Sequence, residues 1–409
     1  MSIALRSFAK INLGLKIGPP RADGFHELRT IYQTIALHDV VRVEAFGGEG
    51  IEIRCDDPRV PCDATNTCWK IAERVLALVF HRELKSARDI KKGDPHGAAK
   101  AAPFQNNNDV NGATEVAPLQ TNNEVRGKTV GVPLQNASSR RKSGKVVITI
   151  EKQLPVQGGL GAASSNAVAA MLGLERALGV DLTPQDKLRI AAEVGSDLPL
   201  FLIGGAVLGV DHGQEVYALQ DLPEMALVVV TPPIGVSTPK AFAQWDARLE
   251  RADREDASGL AGYEIGQSAL TIPNMTSTIK EFDQAVYAWL SESFCSRAFA
   301  AKPASGVPAA GGDRAETPLL DLVQTGIEND FEGVVFPEYP ELREVKNVLQ
   351  REGARYASLS GSGSTLYGLF DSTSAAETVA ERMRAAGFAA TATRTVGRGE
   401  YWERQLATS

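Results

Sequence analysis

Cysteine and aromatic residues are scarce in this sequence, and no long hydrophobic run occurs. The 409 residues include four cysteines and 6% aromatic residues. The cysteines form no Cys-x-x-Cys pair and have no histidine at zinc-binding spacing, so we expect reduced thiols rather than a disulfide framework or a zinc site. No stretch reaches the roughly 18 apolar residues that a membrane-spanning helix requires. These absences argue against disulfide-stapled secreted domains and integral membrane proteins.

Positive charge is also in deficit, with a net charge of −7 and a pI near 5.5. A protein of this charge repels phosphate polymers, so we expect neither a nucleic-acid nor a membrane partner. The N-terminal sequence MSIALRSFAKINLGLKI lacks the pattern of a signal peptide, which indicates a cytoplasmic protein. The sequence leaves open whether the protein is a monomer or a homodimer.

The apolar pattern predicts a mixture of strands and helices over a length that suits two hydrophobic cores. Strands are predicted over residues 3–17, 31–43, 206–210, 225–231 and 388–396, from Lys145 onward, and as a strand-turn-strand over 356–370. Helices are predicted over 66–84, from 166 to Gly179, from Pro184 to Gly195, and near 319–330, 340–352 and 374–386. The elements do not alternate strictly, which indicates an α+β protein rather than a doubly wound sheet.

Two stretches have the composition of low-complexity segments. Residues 86–144 are rich in Asn, Gln, Gly, Ala and Pro and contain a weak fifteen-residue repeat. Each repeat offers too few apolar residues to offset the entropy of ordering it, so a surface insertion is expected. Residues 297–318, rich in Ala, Pro and Gly, are expected to form a flexible loop.

The glycine-rich loop of residues 155–166, PVQGGLGAASSN, is the strongest single motif. Clustered glycines let backbone amides converge on an anion, and a helix N-terminus beyond them adds free N–H groups. The alternatives are a plain connector or a dinucleotide-binding turn with Asp181 as its acid, although the third glycine of that fingerprint is missing. Residues 127–129, GKT, imitate a Walker A ending, but Asn122 replaces its first glycine.

Several other residues have both a chemical and a purely structural interpretation. Lys10 and Asn12 project from the same side of a strand, about 7 Å apart, and are either substrate ligands or a solvated strand face. Asp197 is either a base for a substrate hydroxyl or the cap of the element that starts at Leu198. The SGSGS run at 360–364 is either part of a site or a hairpin turn. Aromatic residues such as Phe25 and Phe242 suit either a planar base or the core.

Taken together, these segments resemble the GHMP small-molecule kinases. The similarity lies in residues 8–13 (FAKINL), 21–28 (RADGFHEL), 155–166, 195–201 (GSDLPLF), 236–239 (VSTP) and 359–364 (LSGSGS). The resemblance implies a two-domain fold with a ribosomal protein S5-like N-terminal domain, residues 1–222, and a ferredoxin-like C-terminal domain, residues 223–409. The active site would lie in the cleft between them.

Within that family the chain is similar to the branch that acts on a cytidylylated methylerythritol in isoprenoid precursor synthesis. The resemblance implies ATP and Mg²⁺ as cofactors and transfer of the γ-phosphate to the 2-hydroxyl of this small molecule. Asp197 would be the general base and Lys10 its charge partner. The sequence leaves the metal ligands unknown.

The resemblance also implies the binding residues. ATP would contact Pro155, Gly158, Gly159, Leu160, Gly161, Ala162, Ala163, Ser164 and Ser165. The substrate would contact Asn12, Phe25, His26, Thr238 and Phe242, with Gly361, Ser362 and Gly363 closing the cleft.

Three departures from the family pattern accompany the resemblance. Ala162 and Ala163 replace glycines, which predicts a stiffer loop or an altered nucleotide affinity. Phe25 replaces a tyrosine, which predicts stacking without a hydroxyl contact. The stretches 86–144 and 297–318 are additions. Competing hypotheses are a GHMP kinase for a sugar, mevalonate or homoserine, a dinucleotide-dependent oxidoreductase, and an inactive binding module.

Overall fold

Two β-sheets, each packed against its own helices, make up the computed structural model. It describes residues 2–21, 23–91, 144–156, 158–259 and 328–406. The strands of the first sheet are β1 (Ser2–Pro20), β2 (His26–Gly47), β3 (Ile51–Cys55), β4 (Gly144–Glu151), β5 (Ala206–Val210) and β6 (Glu215–Ala218). Those of the second are β7 (Ala226–Val230), β8 (Tyr356–Leu359), β9 (Leu366–Phe370) and β10 (Ala390–Arg394).

Eight α-helices flank these sheets in the described part of the chain. They are α1 (Thr67–Lys91), α2 (Ala162–Leu178), α3 (Pro184–Val194), α4 (Thr238–Gly259), α5 (Glu332–Glu338), α6 (Pro340–Arg351), α7 (Thr373–Ala385) and α8 (Arg398–Gln405). A 3₁₀-helix, Pro199–Leu202, follows α3. No helix of the described segments is long and apolar enough to cross a membrane.

Strand β2 organises the first sheet because it is long enough to pair with three neighbours. Strand β1 runs antiparallel along one side of it, while β4 and β5 pair with different halves of the other side. Strand β3 pairs with β4 in parallel. The second sheet has the order β10-β7-β9-β8 and is antiparallel at each junction. Sheets of this mainly antiparallel kind confirm the predicted α+β class.

One face of β1 contributes in turn to three apolar clusters. Ile3 and Leu5 pack with helices α1 and α2, whereas Ile11 packs between the sheets and Ile17 joins the core of the second sheet. Of the two interpretations of the opposite face of β1, the solvated face is wrong for the middle of the strand, where residues 7–15 are buried throughout. The glycine-rich loop and the second sheet cover that part of the strand. The prediction failed because period-two alternation reports one buried face and not what covers the other.

Most predicted elements are present, and the differences have local causes. Helix α2 begins at Ala162, inside the predicted loop, and ends at Gly179 as expected. The sequence did not predict β3 and β6, which are only five and four residues long. It also missed α4, α5 and α8. Helix α1 extends to Lys91, so its last turns were wrongly assigned to the insertion.

Three predicted segments lie wholly or largely outside the residues that the structure describes. The rest of the insertion to residue 143, the loop 297–318, and residues 319–327 of a predicted helix lie outside the described residues. That helix was expected to reach residue 330, whereas α5 begins only at Glu332. The strands of the first sheet end at Ala218 and those of the second begin at Ala226. The domain division at residue 222 stays a prediction.

The apolar layer between the sheets should carry much of the stability. Leu227 on β7 is fully buried in it. Truncating a buried leucine removes its transfer free energy and leaves a cavity, so Leu227→Ala should lower the free energy of unfolding by about 2–5 kcal/mol. Urea denaturation followed by circular dichroism measures this. Leu188→Ala, at a side chain exposed by 40% on α3, is the control and should change stability far less. Equal losses in both variants would contradict the assignment of Leu227 to a shared core.

Candidate active site

A buried lysine and a half-buried carboxylate meet where β1 passes the 3₁₀-helix. Lys10 is 3% exposed, and its Nζ lies 3.4 Å from Oδ2 of Asp197. The same ammonium donates a hydrogen bond of 2.7 Å to Oδ1 of Asn12. Lys10 and Asn12 are therefore not part of a solvated strand face. The structure thus brings Asp197 to the two polar residues, Lys10 and Asn12, that the sequence had singled out on the first strand.

Asp197 does not cap the helix that follows it. The first turn of the 3₁₀-helix is preceded by Leu198, and no side chain caps its amides. The structural interpretation of Asp197 as a cap is therefore wrong. Its carboxylate instead accepts a hydrogen bond of 3.1 Å from the Tyr32 hydroxyl. Tyr401 of α8 donates to the Phe201 carbonyl at 2.7 Å and so ties this helix to the end of the chain's described part.

Tyr32 is a neighbour of the pair that the sequence gave no reason to select. Its ring lies 5.4 Å below the Lys10 ammonium, within the range of a cation–π contact. Burial raises the pKa of Tyr32 well above its usual value, and the Asp197 carboxylate raises it further. The hydroxyl therefore keeps its proton and acts as a donor to Asp197. The alternation of residues in β2 predicted only which face of the strand carries the Tyr32 side chain. It did not predict that Tyr32 would contact Lys10 and Asp197.

The glycine-rich loop runs directly against β1 and the second sheet. The Leu160 carbonyl accepts a hydrogen bond of 3.0 Å from the Lys10 amide, and the Gly158 carbonyl accepts one of 3.1 Å from the Thr365 amide. Gly159 has φ +79°, and a Cβ there would lie 2.1 Å from the Ser360 carbonyl oxygen. A side chain does not fit in so close an approach. The loop thus joins the two sheets at the Lys10–Asp197 pair.

The second glycine run, residues 360–364, connects the antiparallel strands β8 and β9. It is a hairpin connection, as one interpretation held, and it also lies against the site. The Ser360 hydroxyl donates to the Gly159 carbonyl at 3.0 Å, and Asn329 donates to the carbonyls of Leu359 and Gly361 at 2.8 and 2.7 Å. The fully surrounded Asn329 amide therefore fixes this loop. The sequence analysis placed Asn329 at the end of a predicted helix and gave no reason to select its side chain.

Two cavities meet at the glycine-rich loop, and both are lined by Gly159 and Gly161. The smaller, of about 340 Å³, extends over the loop toward the start of α1. Its lining includes the predicted ATP contacts Pro155, Gly158, Gly159, Leu160, Gly161, Ala162, Ala163 and Ser164. Cys68 also lines it, and burial raises the pKa of this thiol, which keeps it neutral. We call this space the loop cavity.

The larger cavity, of about 670 Å³, contains the polar pair and most of the predicted substrate residues. Its lining includes Lys10, Asn12, Phe25, His26, Asp197, Thr238, Phe242, Gly361 and Ser362. Both volumes lie in the range of small-molecule sites. The Thr238 and Ser362 hydroxyls are 2.7 Å apart, which links α4 to the second glycine run. We call this space the pair cavity.

Aromatic rings form one end of the pair cavity. The His26 imidazole stacks on Phe242, with ring centroids 5.0 Å apart and planes 14° apart, and Phe331 meets Phe242 edge-on. The His26 Nε2 lies 2.6 Å from Oδ1 of Asp246 on α4. Phe25, 56% exposed, stacks instead on His212 at 5.1 Å. The sequence did not select Asp246 or His212, because it did not predict α4 or the β5–β6 turn.

Two predicted binding residues line neither cavity. Ser165 is buried, its amide bonds to the Gly161 carbonyl, and its hydroxyl accepts a hydrogen bond of 2.8 Å from Ser7. Gly363 donates its amide to the Ser360 carbonyl within the second glycine run. Ser165 therefore contacts β1 rather than a cavity, and Gly363 bonds within the second glycine run. Among the described residues, no group of three or more His, Cys, Asp or Glu side chains is arranged to hold a metal ion.

Comparison with known proteins agrees with this geometry. The description "GHMP kinases N terminal domain" matches residues 131–205, and "GHMP kinases C terminal" matches residues 317–389. A 4-diphosphocytidyl-2-C-methyl-D-erythritol kinase of Solibacter usitatus is 29% identical over 90% of this chain and 80% of its own. The kinase of the same name from Geobacter sulfurreducens is 28% identical over 96% of this chain and 99% of its own.

A solved structure shows the same fold over nearly the whole chain. It is that of a 4-(cytidine 5'-diphospho)-2C-methyl-D-erythritol kinase, with a TM-score of 0.56 and 22% identity, covering 96% of this chain and 99% of that one. The expected two-domain GHMP kinase architecture is thereby confirmed. In both matched segments, and in its fold over nearly the whole chain, this protein is similar to the GHMP kinases.

Proposed function

We propose that this chain transfers the γ-phosphate of ATP to the 2-hydroxyl of 4-diphosphocytidyl-2-C-methyl-D-erythritol, a step of the non-mevalonate route to isoprenoid precursors. The observation that carries the proposal is the contact between Lys10 and Asp197 in the pair cavity, which shares Gly159 and Gly161 with the loop cavity. The relatives named for this activity match at least nine-tenths of the chain. Their name supplies the substrate, and the geometry supplies a mechanism.

Asp197 acts as the general base in this proposal. Its carboxylate takes the proton of the attacking hydroxyl, while Lys10 offsets the negative charge beside it. Tyr32 donates to the other carboxylate oxygen and so leaves Oδ2 directed to Lys10 and the cavity. Phosphoryl transfer depends mainly on positioning and charge neutralisation, which a buried, hydrogen-bonded pair provides.

The loop cavity holds ATP in this proposal, with its phosphates on the glycine-rich loop. Helix α2 begins at Ala162, so its first amides and its positive dipole end face the phosphates. Ala162 and Ala163 lie in its first turn, and because alanine has a higher helix propensity than glycine, these residues stiffen the start of the helix. The backbone amides and the Ser164 hydroxyl lie at this end of the loop cavity, whose lining also includes the cationic side chains of Arg59 and Lys152.

Mg²⁺ would be bound chiefly through the ATP phosphates. No cluster of three metal-ligating acidic, His or Cys side chains exists in the described segments, and Mg²⁺ commonly keeps waters and substrate phosphates as ligands. Ser164, which lines the loop cavity at the start of α2, would be a further oxygen ligand. The ion would neutralise charge on the transferred phosphoryl group.

The aromatic end of the pair cavity favours a nucleobase over a small aliphatic alcohol. The His26–Phe242 stack offers a planar face, and Asp246 is an acceptor beside it. Mevalonate, homoserine and simple sugars have no group that needs such a face. A dinucleotide-dependent oxidoreductase is disfavoured because the loop is anchored between two sheets rather than forming one tight strand-helix turn. An inactive binding module has no need of the Lys10–Asp197 contact.

The proposal also includes a domain division at residue 222 and a cytoplasmic location. The protein would act as a monomer or a homodimer. The residues that line both cavities in the described part of the chain all come from one copy of the protein.

The direct test is an assay of ADP release with Mg-ATP and each candidate alcohol. Turnover should occur with the cytidylylated methylerythritol and be at least about 100-fold weaker with mevalonate, homoserine or galactose, because only the first fills the aromatic end. Preferential turnover of another alcohol would replace the proposed substrate. No turnover with any of them, in protein that binds ADP, would favour the binding module.

Replacing the base should remove chemistry and leave binding. Asp197→Asn keeps the shape of the side chain but cannot accept the proton, so kcat should fall by about 10²–10⁴-fold. ADP affinity, measured by calorimetry, should stay within a few-fold of the parent because Asp197 lines only the pair cavity. A well-folded variant with near-parental kcat would exclude Asp197 as the base.

The close approach of the two glycine runs should be essential for nucleotide binding. In Gly159→Ala, the new Cβ would meet the Ser360 carbonyl, so the runs must separate and ATP affinity should fall by more than about tenfold. Gly353→Ala is a matched control, since Gly353 has φ +92° and a Cβ added there would have no atom within 4 Å. The control should lose stability and keep ATP affinity. Equal ATP affinity in both variants would contradict the proposed role of the contact.

A further inference from the structure

A fully buried carboxylate, Asp39 on β2, lies behind the glycine-rich loop and takes no part in the mechanism above. It accepts four hydrogen bonds. Oδ1 accepts from the amides of Gln153 and Leu154, both at 2.7 Å. Oδ2 accepts from Lys152 Nζ at 2.7 Å and from Asn166 Nδ2 at 2.9 Å. A buried charge is stable only when paired and hydrogen-bonded, and Asp39 meets both conditions.

The four donors come from both ends of the glycine-rich loop. Lys152, Gln153 and Leu154 form the chain that enters it, directly after β4, and Asn166 lies in the second turn of α2, after it leaves. One side chain therefore fixes the separation of the two ends. The loop between them needs no contact with Asp39 to be held in place.

Asp39 also determines the orientation of the Asn166 amide. A carboxylate only accepts hydrogen bonds, so the nitrogen of this amide must face it and the oxygen must point elsewhere. Asn166 lines the loop cavity and is 4% exposed. Its Oδ1 is buried and has no hydrogen-bond partner among the described residues. Burying an unsatisfied acceptor is costly, and a bound donor would relieve that cost.

A nucleotide offers such donors in only two places. Phosphate oxygens accept, whereas the exocyclic amino group of adenine and the ribose hydroxyls donate. Because Asn166 lines the loop cavity, its unsatisfied amide oxygen would recognise the nucleoside part of the ligand rather than its phosphates. Reversing the amide would present two N–H groups and remove that recognition.

We propose that Asp39 is a positioning residue for the nucleotide: it fixes both ends of the glycine-rich loop and holds Asn166 with its oxygen ready to accept a hydrogen bond from the nucleoside. This inference rests on the proposed use of the loop cavity by ATP. It adds the residues that orient the nucleoside, and it does not depend on the identity of the alcohol.

The test measures binding of nucleoside diphosphates by calorimetry, without any alcohol substrate. In Asp39→Asn, an NH₂ group replaces one accepting oxygen and faces other donors, so the dissociation constant of ADP should rise about tenfold or more. The KM for the alcohol should not change, and kcat should change less than the KM for ATP. A purely structural role would lower stability without this selective loss.

Glu175→Gln is the matched control on the same helix. Glu175 accepts from the Leu182 amide and from Lys187 Nζ, both at 2.8 Å, and so resembles Asp39 in its donors, but it lies near the other end of α2. The control should lower the melting temperature and leave the dissociation constant of ADP unchanged. An equal loss of ADP binding in both variants would overturn the proposal.

Asn166→Leu serves where Asp39→Asn does not fold, because it leaves Asp39 with three donors and removes only the amide. The parent protein and this variant are compared with ADP, IDP, 2′-deoxy-ADP and 3′-deoxy-ADP. A parental preference for ADP over IDP that the variant loses supports contact with the amino group. A preference over a deoxy nucleotide that the variant loses supports contact with a ribose hydroxyl. If Asn166→Leu changes neither preference, the proposal is wrong.

These results separate the inference from the proposed function. Discrimination among nucleoside diphosphates that depends on Asn166, together with no turnover of the cytidylylated alcohol, would leave the inference standing and remove the substrate. If the protein turns over that alcohol and substitutions of Asp39 and Asn166 do not change nucleotide binding, the proposed function stands and this inference is wrong.

Discussion

The burial of the Lys10 ammonium is the constraint on which the rest of the structure depends. An ammonium removed from water is costly unless its charge and its donors are satisfied. Lys10 has the Asn12 oxygen, the Asp197 carboxylate and the face of the Tyr32 ring around it. These partners come from β1, from the start of the 3₁₀-helix and from β2. The first sheet and its helices must therefore be assembled before the lysine is stable, and the assembled pair then lies ready for a substrate hydroxyl.

Close backbone approach is the second constraint, and it joins the two sheets. The loop after β4 and the connection between β8 and β9 touch through main-chain groups at Gly158, Gly159 and Ser360. Glycine is needed because any Cβ at Gly159 would occupy the position of a carbonyl oxygen. Asn329 holds the connection between β8 and β9, and Asp39 holds the glycine-rich loop after β4. Each does so through one buried side chain. Two polar anchors thus fix the distance between the halves of the site.

The sequence predicted those parts of the molecule that have a local pattern. Alternation gave β1, glycine spacing gave both loops, and Thr183-Pro184 with Gly195 marked the two ends of α3. It did not give Tyr32, Asp39 or Asn329, because each is a single polar residue whose role depends on what the fold places beside it. Asp197 shows the same limit, since its position before Pro199 is typical of a cap and only the tertiary neighbours Tyr32 and Lys10 reveal another use. Ser165 shows the converse: a serine in the right motif turns inward to Ser7.

In the proposed function, the groups that carry the chemistry lie on the first sheet and its helices, whereas the acceptor end of the site also draws on α4. Lys10, Asp197 and the glycine-rich loop belong to the first sheet and its helices, whereas Thr238, Phe242 and Asp246 belong to α4, beside the second sheet. A fold shared at 22% identity does not by itself define a substrate, because function resides in the site carried by the fold. Substitutions on α4 can therefore alter which alcohol enters without disturbing the pair that activates it. The contact between the Thr238 and Ser362 hydroxyls joins α4 to the second glycine run, so in the proposed function it is one place where the acceptor end of the site meets the loops beside the phosphates.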